Sequence, residues 1–375
     1  MGSLLSGEFA IVSEQQGNNG TESDGASTTG DPAVALTTLA VNLDAALAAL
    51  KRDLTKLEAN LGTIEHTVKT ECAGLTLRLH FPAFRQRKPM VAELIDAVSL
   101  HIINFCLPRS QVNEVQALYN KIPVDEFMQR VERMRQEAFD LFKRAHQKTN
   151  RNGEAGELIL YLLTEWLLGA PQIIAKMSLK TSSEMAVHGA DGVHVRYCTD
   201  TGRLFVYWGE AKLYQDIGSA ITAAAESIAE SLREEKVKHE ITLVKRFLNL
   251  SDLEAPVRSA LLELLDPFGS ETTNRHDVVT CLIAFDFDGF VKAEGATGDA
   301  QAEFRKLALV KLDEAAPKIA NALKDKGMAH QAVEMFIVPV PSIARMRELF
   351  QDKIGWKHPV PEDEETAKKS GKRPK

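Results

Sequence analysis

The sequence has few cysteines, and none of them forms a closely spaced pair. Cys72, Cys106, Cys198 and Cys281 are scattered along a chain of 375 residues, without any CxxC spacing. A zinc ribbon needs such pairs, so the spacing argues against one. It favours reduced thiols in a cytoplasmic protein.

Long hydrophobic runs and an excess of basic residues are also absent. No run reaches the roughly 18 apolar residues of a membrane-spanning helix, and residues 1–16 lack the features of a secretory signal. We therefore expect a cytoplasmic protein without a membrane partner. The formal net charge is −7, whereas proteins that bind DNA tightly by themselves usually have a basic surface. If the substrate is nucleic acid, we expect a partner to deliver it.

Composition divides the chain into four parts. Residues 15–31 are rich in Gly, Ser, Thr and Asn and are too polar to form a core. The Ala- and Leu-rich segment from Val34 to about Thr67 predicts a helix, and the later runs VVTCLIAF and MFIVPV predict buried strands. The predicted parts are a disordered segment at 1–33, a mainly helical N-terminal region at 34–149, an α/β (α+β) domain with a mixed sheet flanked by helices at 150–358, and a charged tail at 359–375.

Charged residues interrupt an otherwise apolar stretch, HGADGVHVRYCTDTGRLFVYWGEAKLY, which begins at His188. The runs VHVRY and RLFVYW flank CTDTG, whose composition is typical of a hairpin turn. Burial of a charge is costly unless the charge is paired or holds a metal. Asp191, Glu210 and Lys212 therefore either neutralise one another or bind a ligand.

The spacing of these three residues fits metal-assisted phosphodiester hydrolysis. Residues two apart in a strand share a face, so Glu210 and Lys212 lie side by side and Ala211 faces the other way. The hairpin brings Asp191 beside Glu210. Two adjacent carboxylates repel unless a cation separates them, and oxygen ligands favour Mg²⁺ or Mn²⁺ over zinc. Lys212 is then placed to orient water and to stabilise negative charge at phosphorus.

The same residues carry a resemblance to known nucleases. Asp-(x)18-Glu-x-Lys resembles the PD-(D/E)xK signature of the restriction-endonuclease-like fold, with Ala190 in place of the signature's proline. The motifs NGEAGELILYLL, GAPQIIAKMSLKT, VHGADGVH and WGEAKLY, in this order, resemble the C-terminal domain of the HamA family. The resemblance runs from about Asn150 to about Leu232 and continues more weakly to about residue 350.

This resemblance implies a Mg²⁺- or Mn²⁺-dependent DNA endonuclease that is the effector subunit of a Hachiman anti-phage defence complex. The implied partner is a HamB-like helicase of superfamily 2, which controls the nuclease and supplies most of the grip on DNA. The implied catalytic residues are Asp191, Glu210, Lys212 and Glu157. The implied metal site comprises Asp191, Glu210, Ala211 and Glu157, and Glu154 is an alternative to Glu157 on the same helix.

Other residues are candidates for substrate binding. Lys180, in SLKT, is a candidate phosphate contact, although a solvated lysine is an equal alternative. Gln215 and Ser219 follow the Glu-x-Lys strand and are candidate contacts to DNA or water. Asp216 is expected to cap the helix that begins there. The basic residues within 85–88 are more typical of a solvated turn than of a binding site.

Three alternatives remain beside the nuclease hypothesis. Zinc binding by His188 and His194 with Asp191 is disfavoured, because in an extended chain both histidines face away from the aspartate. Glu210 and Lys212 are also compatible with a simple ion pair in a catalytically silent adaptor that docks and regulates a helicase. Hydrolysis of a phosphodiester other than nucleic acid is the third alternative.

Overall fold

The structure is a computed structural model. All the residues that it describes fall within one compact unit of the chain. The segments predicted to be disordered (1–33) and to form a charged tail (359–375) lie outside the described residues. The described residues are 42–64, 70, 72–149, 153–180, 190–247, 253–266 and 274–356, without the side chains of 145–149, 180 and 247.

A seven-stranded mixed sheet is the centre of the fold, in the order β1-β2-β9-β8-β7-β6-β5. β2, β9, β8 and β7 run parallel, whereas β1, β6 and β5 pair antiparallel with their neighbours. The sheet, flanked by helices, confirms the predicted α/β class. The strands are β1 (Leu61–Ile64), β2 (Leu75–Pro82), β3 (Phe84–Arg85), β4 (Lys88–Pro89), β5 (Gln172–Ile174), β6 (Gly192–Cys198), β7 (Arg203–Tyr214), β8 (Arg275–Asp286) and β9 (Val333–Val340).

Helices cover both faces of this sheet. Residues 42–49 are helical, and Thr55–Leu57 is a short 3₁₀ turn. Within the described ranges, no helix combines the length and the apolar composition needed to cross a bilayer. The remaining helices are α1 (Val91–Ser99), α2 (Ile102–Cys106), α3 (Arg109–Gln116), α4 (Val124–Thr149), α5 (Glu154–Leu167), α6 (Lys176–Lys180), α7 (Ile217–Ser231), α8 (Glu234–Phe247), α9 (Ala255–Leu265), α10 (Gly289–Gly295), α11 (Ala300–Asp325) and α12 (Ile343–Ile354).

The two faces of the sheet belong to different hydrophobic cores. On one face, α5 and α12 pack with Leu213 of β7 and the interior of β8. On the opposite face, α7, α10 and α11 cover β8 and β9, with Ala224 and Phe304 fully buried. A third core joins β5 and β6 to α8 and α9. β8 and β9 are buried along most of their length, as their apolar runs predict.

The N-terminal region contributes strands to the sheet, and the predicted helix from Val34 to Thr67 is wrong at its C-terminal end. β1 pairs antiparallel with β2, and Gly62 lies so close to Phe81 that a Cβ there would be 2.4 Å from the ring. Strand pairing overrides a composition that favours helix, because propensity is only a weak prior. β2 also pairs with β9, so the sheet crosses the predicted boundary between residues 149 and 150.

The β6–β7 hairpin forms where the sequence predicts it. Gly192 pairs with Gly209, and Gly202 in the turn has a φ of 66°, a conformation that favours glycine. Asp191 immediately precedes β6 and therefore lies beside Glu210. β6 stops at this point while β7 continues to Tyr214, so among the described residues Asp191 lies where β6 would otherwise continue along β7.

Candidate functional site

Two contacts hold Asp191 against β7, one through its backbone and one through its side chain. The Asp191 N–H donates to the carbonyl of Gly209 at 2.7 Å. Its carboxylate Oδ2 accepts from the N–H of Ala211 at 3.0 Å. Beyond the end of β6, the aspartate side chain thereby bonds a backbone group of β7 in the way that a neighbouring strand would. Val193 and Val195, two and four residues on, share a core with Trp208, so Asp191 lies on the same face as the even-numbered residues of β7.

Glu210 and Lys212 form an ion pair on that face. The ammonium of Lys212 contacts Oε1 of Glu210, and the two side chains are only 18% and 14% exposed, respectively. Ser227 of α7 donates its hydroxyl to Glu210 from above the sheet. Cys281 of β8 pairs in register with Glu210 and is fully buried. The acid is therefore enclosed by α7 and the centre of the sheet.

Two acids, Asp191 and Glu210, interact with one cation, Lys212, at this site. Burial raises the pKa of Glu210, the charge of Asp191 raises it further, and Lys212 and Ser227 only partly oppose them. Burial acts to lower the pKa of Lys212, but Glu210 and Asp191 outweigh it and the pKa is raised. Burial and the Glu210 charge also raise the pKa of the Cys281 thiol. Lys212 therefore stays protonated, while Glu210 holds a proton more readily than an exposed glutamate.

Ala211 offers its backbone to the site. Its side chain points to the opposite face, where its Cβ would be 3.3 Å from a Cβ built on Gly156 of α5. In a strand, the N–H and C=O of one residue point to the same side. The Ala211 N–H points to Asp191, so its carbonyl oxygen also points to the edge where β6 has ended. Two carboxylates and one carbonyl thus converge at the end of the hairpin.

Glu157 lies on α5, which packs against the other face of the sheet. Its neighbour one turn on, Tyr161, has its ring 5.6 Å from the ring of His194 in β6. The residue before Glu157, Gly156, lies against Ala211 and Leu213 of β7, so the first turn of α5 lies behind the strand that carries Glu210. Glu154 is buried and lies beside Arg347 of α12. Burial lowers the pKa of Arg347, and the negative charge of Glu154 partly opposes this effect.

The candidate cation ligands are therefore one close pair with a more distant third acid. Among the residues that the structure describes, no group of three or more His, Cys, Asp or Glu side chains is arranged to hold a metal ion. The charge of Asp191 adds to the effect of burial in raising the pKa of Glu210, and Glu157 does not join these two acids in such a group. The oxygen atoms present fit a hard divalent cation rather than zinc.

Of the two histidines, one lies within the described residues. His194 is 2% exposed and donates Nδ1–H to the carbonyl of Ala170 at 2.9 Å. Burial lowers its pKa to about 4. It packs on the α5 face, away from Asp191, as the strand alternation predicts. His188 lies outside the described residues.

The weaker candidates have varied surroundings. Asp216 caps α7 as predicted, and the N–H and hydroxyl of Ser219 both donate to its Oδ2, at 2.7 and 2.9 Å. The carbonyl of Gln215 accepts from Asp286 of β8. Lys180 ends α6, and its side chain lies outside the described set.

The basic turn between β3 and β4 has a structural role at one position. Gln86 and Arg87 have positive φ angles of 47° and 70°. The Arg87 guanidinium donates to backbone carbonyls at and just after the end of α10, including that of Gly298 at 2.6 Å. A cation there satisfies carbonyls that lack helical partners. Arg87 is exposed, in line with the predicted solvated turn, and its guanidinium also caps the end of α10.

Sequence reasoning missed Ser227 and Cys281. Ser227 and Cys281 reach Glu210 from other elements, so no local spacing signals them. In a comparison with protein families, the family model HamA matches residues 59–354, most of the chain. No curated protein matches the chain. The matched range includes β1 and β2 together with the candidate site.

Proposed function

Because the chain belongs to the HamA family, whose membership supports a role in Hachiman defence, we propose that it is a metal-dependent DNA endonuclease. In this proposal it is the effector subunit of the defence complex, and a HamB-like helicase of superfamily 2 controls it. The core belongs to the PD-(D/E)xK, restriction-endonuclease-like class. The observation that carries the proposal is the convergence of Asp191, Glu210 and the Ala211 carbonyl beside Lys212.

The arrangement of the two acids favours a bound cation. Asp191 raises the pKa of Glu210, although Lys212 already contacts Glu210. One ammonium therefore does not balance the two carboxylates in this half-buried site. A divalent cation removes the remaining repulsion, because it interacts with both acids at once. Mg²⁺ fits this site, since it is typically held by one or two carboxylates together with water and phosphate oxygens.

Asp191, Glu210 and the carbonyl of Ala211 would hold the ion, with Glu157 as the additional acid on α5. When bound, Mg²⁺ or Mn²⁺ supplies a Lewis acid at the phosphate and lowers the pKa of water. The location of Glu154 beside Arg347 favours Glu157 as the helix ligand. Asp191 has one oxygen committed to the Ala211 N–H, which fixes the direction of the other.

Lys212 acts as a cation and not as a base. Its pKa is raised, so it carries a proton throughout the neutral range and donates hydrogen bonds. In phosphodiester hydrolysis a water oxygen bonds to phosphorus, the bond to the leaving sugar oxygen breaks, and that oxygen gains a proton. Lys212 stabilises the extra negative charge on the phosphate oxygens during this exchange.

The proposed helicase partner accounts for the charge of the chain. A net charge of −7 gives little general attraction to DNA. A separate DNA-binding subunit then brings the strand to the acids, and cleavage depends on the complex. Lys180, Gln215 and Ser219 remain predicted substrate contacts in this scheme.

The adaptor alternative has one observation in its favour. Glu210 and Lys212 already form an ion pair, and a silent scaffold needs nothing more from them. The two functions differ in what happens when the acid is neutralised. The adaptor keeps its protective effect in cells carrying Glu210→Gln or Lys212→Met, whereas the nuclease loses it.

The decisive experiment uses the full chain with its helicase partner, plasmid DNA and either Mg²⁺ or Mn²⁺. Glu210→Gln, Lys212→Met and Asp191→Asn should each reduce cleavage by at least about a thousandfold, a range typical for groups that stabilise charge at the reacting atoms. Glu334→Gln is the matched control, because Glu334 also forms an ion pair in the same sheet, in its case across two strands, with Arg78 at 3.0 Å. The proposal fails if the wild-type complex leaves DNA intact under activating conditions, or if Glu210→Gln cuts as well as the control.

A further inference from the structure

A fully buried ion pair lies directly behind Asp191. Lys176, the first residue of α6, and Glu240 of α8 are in contact at 2.5 Å, with side chains 1% and 3% exposed. The surrounding core is apolar and includes Ile174, Val193 and Ile241. A lysine and a glutamate are rarely buried in such an apolar core, and when they are, they are usually paired with each other, as here.

Lys176 also forms a hydrogen bond to the backbone of the residue before Asp191. Its ammonium donates to the carbonyl of Ala190 at 2.5 Å. The N–H of the same peptide group, that of Asp191, donates to Gly209 of β7. A peptide group is planar and rigid, so these two bonds fix it from both sides. The orientation of this peptide group determines the direction of the Asp191 side chain, independently of the hydrogen bond between its carboxylate and Ala211.

Stability alone is a weak explanation for the pair. Removing two charges from water costs several kcal/mol per ion, and apolar side chains of similar volume often replace buried pairs without loss. Leucine and methionine at these positions would fit the core that already surrounds them. What apolar side chains cannot supply is a charged donor for the Ala190 carbonyl.

We propose that the buried Lys176–Glu240 pair is a positioning device for Asp191. Glu240 holds Lys176 in place, Lys176 holds the Ala190–Asp191 peptide group, and the group sets the carboxylate that faces Glu210. Neither residue touches substrate. The role in cleavage rests on the proposed nuclease function, whereas the hold on the peptide group does not.

The test compares two double variants of the full chain. Lys176→Met/Glu240→Leu removes both charges of this pair. Arg52→Met/Glu165→Leu removes those of a second buried pair, which is joined at 3.2 Å and whose glutamate side chain is 0% exposed. That control pair contacts Tyr161 on α5, on the opposite face of the sheet from Asp191. Hydrogen exchange resolved to the amide of Asp191 reports the hold directly, without any need for catalysis.

We expect the Asp191 amide to exchange about tenfold faster in the Lys176 double variant, as for loss of one buried hydrogen bond, and at the wild-type rate in the control. The kcat for DNA cleavage by the complex should fall about tenfold or more and half-saturation by Mn²⁺ should rise, while KM for DNA stays unchanged. If wild-type protein never cuts DNA, the proposed function fails, but the exchange rates still decide the positioning role.

A second variant covers the case in which the double variant does not fold. Glu240→Gln keeps the shape and removes the charge that attracts Lys176, so exchange at Asp191 should be about threefold faster than in Glu165→Gln. Equal exchange at Asp191 in the Glu240 and Glu165 variants overturns the proposal. So does a Lys176 double variant whose Asp191 amide exchanges as in wild type.

Discussion

Gly156 is the point at which α5 touches the strand that carries Glu210 and Lys212. A Cβ at this position would lie 2.1 Å from Cδ1 of Leu213 and 3.3 Å from Cβ of Ala211. Leu213 is 5% exposed in a packed core, so it has little room to rotate away. Overpacking of this kind costs about 1–3 kcal/mol, and the better helix propensity of alanine offsets about 1 kcal/mol.

Gly156→Ala should therefore lower the free energy of unfolding by about 1 kcal/mol, and by up to about 2 kcal/mol. The assay is urea unfolding followed by circular dichroism, in which the midpoint moves and the slope stays constant. Gly295→Ala is the control, because a Cβ there meets nothing within 4 Å; it should be neutral or stabilising. A Gly156→Ala protein as stable as the control would refute the close contact between α5 and β7. Displacement of Ala211 should also reduce DNA cleavage.

Three further predictions concern charge. The raised pKa of Glu210 means that the metal-free folded state binds this proton more tightly than the unfolded state, whose reference pKa is 4.5. The free energy of unfolding then falls as the pH rises from about 4.5 through the raised pKa of Glu210 in the folded state. Thermal melts of Glu210→Gln should lack this fall. The pKa of His194 is lowered from 6.5 to about 4, so stability falls as pH decreases across that interval, by about 3 kcal/mol at most. His194→Asn, which keeps a donor for Ala170, should lose less in acid melts. Arg87→Ala should lower the melting temperature because α10 loses its cap, whereas Arg85→Ala, at an exposed position, should leave it unchanged.

The part of the site that was predictable from sequence is the part set by local periodicity. Alternation of two fixes which residues of β7 share a face, and a turn composition around Gly202 fixes the pairing of β6 with β7. The same logic gave Asp216 as the cap of α7, because an N-cap acts on the next three residues. Each of these inferences needs only a short window of the chain.

Contacts between distant segments were not predictable in this way. Lys176 and Glu240 meet only because β5 and α8 pack into one core, and no spacing in the sequence indicates it. β1 reads as part of a helix from its composition, since the glycine that allows it to lie on Phe81 has no meaning without the partner strand. The site depends on long-range packing that a single sequence does not specify.

The lengths of two strands explain why an acid stands at the centre of the candidate site. β7 extends beyond the end of β6, and the backbone groups of a strand that is longer than its neighbour need other hydrogen-bond partners. Asp191 is the first residue past that end, and its carboxylate accepts the Ala211 N–H that a longer β6 would have bonded. The aspartate therefore completes the sheet with one oxygen and presents the other beside Glu210. Replacement by asparagine keeps an acceptor for Ala211 and removes the charge, so it separates the structural contribution of Asp191 from its contribution to cation binding.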